Sequence, residues 1–197
     1  MDKKDIDSIL NQLSKNTQYI AYADAWVSQR FEQIKDEMIQ EFESHPVTKE
    51  IEGGIGADNI SDTLNGITNL YSFIGFHEGD QPLEPIREIL REINMHKTIG
   101  RRSIIKYTFT FPTAKEIFKA TPMPWATGRS WAQGIEYGIS GIGYYLLKYS
   151  QSSRSGFGIQ AKKQVRPNIR FKNTKYISDL IAKYTKKVIL LEKETRI

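Results

Sequence analysis

The sequence predicts an α+β fold, a small, mainly antiparallel sheet packed by long N-terminal and C-terminal helices. Apolar residues recur every three to four positions near both ends of the chain, as helices with one buried stripe require. Between them lie short alternating runs, best seen in SIIKYTFTF at 103–111, bounded by glycine and proline. The stretch Thr121–Leu147, TPMPWATGRSWAQGIEYGISGIGYYLL, holds five glycines and two prolines, too many for one continuous helix.

In chain order, residues 5–15 read as a short amphipathic helix through Ile6, Ile9, Leu10 and Leu13, within an N-terminal extension 1–18. A single domain then spans 19–197. Its first helix runs from about Tyr19 to Glu43, with a stripe of Ala23, Trp26, Val27, Phe31, Ile34, Met38, Ile39 and Phe42. His45-Pro46 ends it. Residues 48–69 carry Gly53, Gly54, Gly56 and Gly66 among polar residues, and read as a long mobile loop. Leu70–Phe76 alternates and is aromatic, a strand signal. After a turn at Gly79-Asp80, a helix from about Pro85 buries Ile86, Ile89, Leu90 and Ile93.

Residues 95–102 read as a polar turn, followed by the strand 103–111. Thr113 and Glu116 have capping-box spacing for a helix over 114–119. Pro122 and Pro124 impose an extended approach, and Thr127 is placed to cap a helix over about 128–137. Residues 138–149 suit either a bent strand or a second short helix, 150–158 a polar link, and 159–165 a strand. The closing helix covers 173–191, with Tyr176, Ile177, Leu180, Ile181, Tyr184, Val188 and Leu191 on its stripe.

The chain has 197 residues, enough to bury a real core. With no cysteine, it makes no disulfide and no thiolate-based zinc site. No apolar run reaches the roughly 18 residues of a membrane span, the N-terminus is unlike a signal peptide, and synthesis in the cytosol is expected. Charge is uneven. Residues 1–50 hold 6 Lys/Arg against 10 Asp/Glu, a net −4, while 148–187 hold 11 Lys/Arg against Asp179 alone, a net +10. Such asymmetry suits contact with nucleic acid, with an acidic protein, or with the opposite end of another copy; a solvated basic face explains it equally well.

Motifs for chemistry are sparse. GGIGADN at 53–59 has neither a preceding strand nor a following GK[ST], so it is no phosphate loop. The His77-Glu78-Gly79-Asp80 cluster is better read as a polar turn than a metal site, and neither metal nor cofactor is expected. Glu136 suits a buried ion pair with Arg129 or Arg154 rather than a general base. The expectation is a protein that is not an enzyme. Trp125, Trp131, Trp26 and Phe31 are either core or subunit-interface anchors. Arg154, Lys162, Lys163, Arg166, Arg170 and Lys172, interleaved with Phe157, Phe171 and Tyr176, suit contact with DNA or an acidic partner.

The segment TPMPWATGRSWAQGIEYGISGIGYYL resembles the "P-x-x-T-G-x-L/S" core of the tail-completion and neck (head–tail connector) proteins of tailed bacteriophages, which include the gene 10 product of lambda-like phages. Layout over about residues 20–190 follows the family, and motif over about 30. The stretch 66–93 has no place in the family pattern, and GRSW stands where GxLRxS is usual. The resemblance implies a structural virion protein of a tailed phage, assembled in the host cytoplasm. It would form a homo-oligomeric ring at the portal–tail junction, against portal or adaptor and tail-tube proteins, with DNA in the lumen and no membrane. Pro124, Thr127, Gly128, Arg129 and Ser130 would then be fold determinants. The alternative class is a small basic DNA-binding or DNA-processing protein.

Overall fold

In a computed structural model, residues 5, 8, 9, 12, 16–66, 68–99, 105–124, 126–138, 145–146, 159–160 and 171–194 are described. The fold class is the expected α+β, with long helices near both ends and antiparallel strand pairs between. The elements are α1 (Thr17–Ser44), α2 (Pro46–Glu52), a 3₁₀ turn (Gly54–Gly56), α3 (Leu70–Ile74), α4 (Glu84–Arg91), β1 (Asn94–Ile99) and β2 (Ile105–Thr110). They continue with α5 (Ala114–Ala120), β3 (Pro122–Met123), β4 (Ala126–Ser130), α6 (Trp131–Tyr137), β5 (Tyr145–Leu146), β6 (Ile159–Gln160) and α7 (Ile177–Glu194). The described strands form three separate antiparallel pairs, β1–β2, β3–β4 and β5–β6. No helix of the described residues is long and apolar enough to cross a membrane.

The chain divides into two compact units. The first comprises Met1–Met38, Glu92–Phe111 and Ala182–Ile197; the second comprises Ile39–Arg91 and Pro112–Ile181. The divisions fall within α1 and within α7.

In the first unit, α1 starts where Asn16 Oδ1 accepts the Gln18 N–H at 3.0 Å. Its 28 residues reach about 42 Å. Val27, Phe31, Met38, Ile93, Tyr184, Val188 and Leu191 are this unit's buried apolar residues. β1 and β2 pair in full register, Asn94 opposite Thr110 through Ile99 opposite Ile105. Of the predicted polar turn 95–102, residues 95–99 are therefore strand, and 100–102 lie outside the described residues. β1 is exposed along nearly its whole length and mostly polar, so hydrogen bonding to β2 rather than burial defines it. On the ribbon's inner face Phe109 packs on Phe31, ring centroids 5.2 Å apart. There too, Tyr107 and Lys97 both reach the Asp24 carboxylate.

The second unit buries a larger set around Phe42, Ile51, Leu64, Leu70, Ile74, Ile86, Leu90, Ile117, Trp131, Ile135 and Ile177. Its segment 46–69 opens not as a loop but with a helix. Pro46 sits at a first helical turn, where its missing N–H matters least, and His45 Nδ1 caps it by accepting from Val47 N–H at 3.2 Å. The expected strand at 70–76 is α3. Asn69 Oδ1 accepts from Ser72 N–H at 2.8 Å, and Gly75 at φ +96° closes the helix. Leu70, Tyr71, Phe73 and Ile74 are all buried, which suits one helical turn sunk in a core better than an alternating strand.

Further on, α5 has the predicted capping box of Thr113 and Glu116. The predicted helix 128–137 begins three residues late, because Ala126–Ser130 pairs with Pro122–Met123 and the cap is Ser130, not Thr127. The closing helix also starts a turn late. Residues 171–176 are held outside it, with the Lys172 N–H donating to Thr63 O at 2.8 Å and the Thr174 N–H to Ile135 O at 3.1 Å. Residues 5, 8, 9 and 12 are helical; the rest of the predicted helix 5–15, the link 150–158, and most of 138–149 and 159–165 lie outside the described residues.

Candidate functional site

The segment that carries the family resemblance folds into a tight corner. Chain direction reverses between β3 and β4, and within β4 Gly128 stands at φ +76°, a conformation that side-chain-bearing residues adopt at a cost. At its foot the Thr121 and Ser130 hydroxyls are 2.8 Å apart and buried, and Thr121 Oγ1 also donates to Ile117 O at 3.0 Å. The Trp131 N–H donates to Thr121 O at 2.9 Å. Ser130 Oγ accepts from the Gln133 N–H at 3.0 Å, so a single hydroxyl ties the hairpin to the start of α6. Trp131 follows immediately, 1% exposed, with its ring edge-on to Phe76 at 5.9 Å. Thr127, Gly128 and Arg129 remain at the surface.

Two buried carboxylates organise the same unit. Glu50, 0% exposed, accepts the Leu70 N–H at 2.6 Å, the Ser61 N–H at 2.9 Å and the Asn59 amide at 2.9 and 3.1 Å. Asn59 Oδ1 in turn accepts from Leu64 and Gly66 N–H groups. The glycine-rich stretch is thus wrapped around a side chain of its own chain. Arg154, one of the two expected partners, lies outside the described residues, and Glu136 is buried as foreseen. Its carboxylate accepts the Ser178 N–H at 2.7 Å and the Ser178 hydroxyl, placing a negative charge on the first turn of α7, where free N–H groups and the helix dipole favour it.

A cleft of about 510 Å³ opens beside these elements, lined by Glu52, Tyr71, Asp80, Gln81, Glu84 and Arg87 among others. Arg87 grips Glu43 through two bonds of 2.8 Å, Glu52 at 2.7 Å and Glu84 at 3.7 Å. The bidentate hydrogen bond to Arg87 holds the Glu43 carboxyl below its usual range, and the same bond pushes the guanidinium upward. Burial raises the Tyr71 phenol, whose hydroxyl donates to the His77 and Asp80 carbonyls. Asp80 Oδ2 accepts the His77 N–H at 2.7 Å, so the His77–Asp80 segment is a side-chain-closed turn. No group of three or more metal-ligating side chains occurs among the described residues. Glu43 joins the cleft's Glu52 and Glu84 in converging on one cation, an arrangement that holds α1, α2 and α4 residues together.

Of the predicted contact residues, Trp131 and Phe31 lie inside their own units, 1% and 2% exposed, so their rings pack against this chain itself. Trp26 is half-buried. Lys172 is exposed and pairs with Asp62 at 2.9 Å. Trp125, Arg154, Lys162, Lys163, Arg166 and Arg170 lie outside the described residues. Comparison with protein-family models, with curated proteins and with solved structures gives no significant match. Sequence reasoning missed Glu50 and Arg87. Glu50 sits in a helical run that reads as loop, whereas Arg87 gave a signal in the Glu84, Arg87, Arg91 spacing along α4.

Proposed function

We propose that the protein is a non-enzymatic structural subunit of a tailed-phage virion, a neck or tail-completion protein that closes into a ring at the head–tail junction. One observation carries the reading. Two of the residues that match the family motif serve the fold: Gly128 takes a left-handed backbone position within β4, and Ser130 caps α6 while bonding Thr121. That is the role the resemblance implies for them. The buried carboxylates Glu50 and Glu136 likewise serve backbone N–H groups, as scaffold residues do. The bipolar charge of the chain offers two unlike patches for a heterologous, closing contact between copies.

The test is the native mass of the purified, nuclease-treated protein by light scattering, alone and mixed with a portal and a tail-tube protein. The expected result is a closed oligomer of about six or twelve copies in at least one mixture. A monomer under every condition overturns the reading.

A further inference from the structure

The β1–β2 ribbon has two unlike faces, because cross-strand partners share a side of the pair. The inner face carries Met95, Lys97, Ile105, Tyr107 and Phe109, and meets α1 through Phe31 and Asp24. The outer face presents Asn94 opposite Thr110, His96 opposite Thr108, and Thr98 opposite Lys106. All six are exposed. Five of them offer a group that can donate a hydrogen bond to an anionic oxygen: one amide, one imidazole, two hydroxyls and one ammonium, while the Thr98 hydroxyl donates to the Lys106 carbonyl. None is a carboxylate. Along the whole stretch 94–111 there are Lys97, Arg101, Arg102 and Lys106 and not one Asp or Glu, a net charge of +4 in a chain whose total is +5.

We propose that this outer face binds duplex DNA through its phosphate backbone, without sequence preference. Six paired residues span about 20 Å, and a two-stranded ribbon is narrow enough for the major groove, about 12 Å wide. Thr, Asn and Lys side chains bond phosphate oxygens and so position a protein on a duplex. A protein partner fits the face less well, since the six residues include no aromatic or aliphatic anchor of the kind that fills interface cores. Asp24 sharpens the division between the faces. It draws the Lys97 ammonium and the Tyr107 hydroxyl inward, leaving Lys106 as the strand cation on the outside. The inference stands apart from the ring reading and holds for a monomer or an oligomer.

The experiment is fluorescence anisotropy of a labelled duplex of arbitrary sequence, titrated with the full-length protein at low and rising salt. The pair Lys106→Gln and Thr108→Ala is expected to weaken binding about tenfold and to flatten the log–log salt slope by about one unit. Lys106→Arg should keep both, and thermal melting should show the double variant folded, since both side chains are exposed. Neutralising Lys162, Lys163, Arg166 and Arg170 is the comparator. Binding that ignores the ribbon variant and disappears with the comparator overturns the proposal. So does a wild-type protein that leaves duplex unbound at low salt, or that prefers single-stranded DNA or an acidic peptide. Native mass measured on the same variants separates this outcome from the fate of the ring.

Discussion

Glu50 concentrates more of the second unit's order than any other single side chain. Its two oxygens meet N–H groups from residues 59, 61 and 70, so one carboxylate fixes both ends of a loop and the first turn of α3. Replacing it with alanine strands the buried Leu70 N–H, at about 1–3 kcal/mol, and removes the acceptor of the part-buried Ser61 N–H and Asn59 amide. Glu50→Ala should therefore destabilise by about 3 kcal/mol or more in urea denaturation, while Glu52→Ala, at a surface ion pair, should cost about 1 kcal/mol or less. His45 adds a pH dependence. Burial holds its imidazole below the ordinary value of 6.5, partly offset by Glu41, and its Nδ1 must stay unprotonated to accept the Val47 N–H. The unfolded state then binds the proton more readily, so the contribution is whole above about pH 6.5 and is lost as pH falls through the folded value. Stability should therefore fall as pH is lowered below about 6.5, read from urea denaturation across a pH series. Asn, which caps without titrating, should remove that slope in His45→Asn.

At the level of elements, the Thr121–Trp131 corner makes the backbone argument testable. Nothing lies within 4 Å of where a Cβ on Gly128 would stand, so a side chain there meets no clash and only the φ of +76° opposes it. Gly128→Ala should cost about 1–2 kcal/mol and Gly128→Asn clearly less, read from melting curves. Ser130→Ala should cost about 1–2 kcal/mol, since it removes the cap of α6 and the partner of Thr121 together. The same corner shows what the sequence makes legible. Thr113 and Glu116 announce α5 because both bonds of a capping box are local. Thr127 and Ser130 are equally good cap residues on composition, and the choice falls to Ser130 because Ala126–Ser130 is claimed by pairing with β3. Leu70–Phe76 misleads for the opposite reason: a buried five-residue turn of helix has no polar face, so its periodicity resembles a strand. The ribbon misleads because β1 is exposed on nearly every residue, and a polar strand looks like a turn until its partner is known.

For the molecule as a whole, the long helices, their stripes and the α+β class follow from apolar spacing, whereas the candidate surfaces depend on which aromatics the interior consumes. Trp131 and Phe31 are consumed in that way, 1% and 2% exposed, and so are Tyr176 and Tyr184. Of the described predicted anchors, Trp26 alone keeps a half-exposed ring. Tyr22, Ile99 and Tyr137 are exposed large apolar residues, and the chain also offers electrostatic complementarity to an assembly of copies: a net −4 over residues 1–50 against +10 over 148–187. Contacts between exposed charges are screened over about 8 Å at physiological ionic strength and over about 3 Å at 1 M salt. The oligomer should accordingly lose mass as salt rises, and neutralising Lys162, Lys163, Arg166 and Arg170 should lower the salt at which it separates. Light scattering across a salt series measures both. An oligomer that survives 1 M salt and separates on Trp26→Ala would move the joint from charge to the face of α1, and would leave the bipolar charge free for other partners.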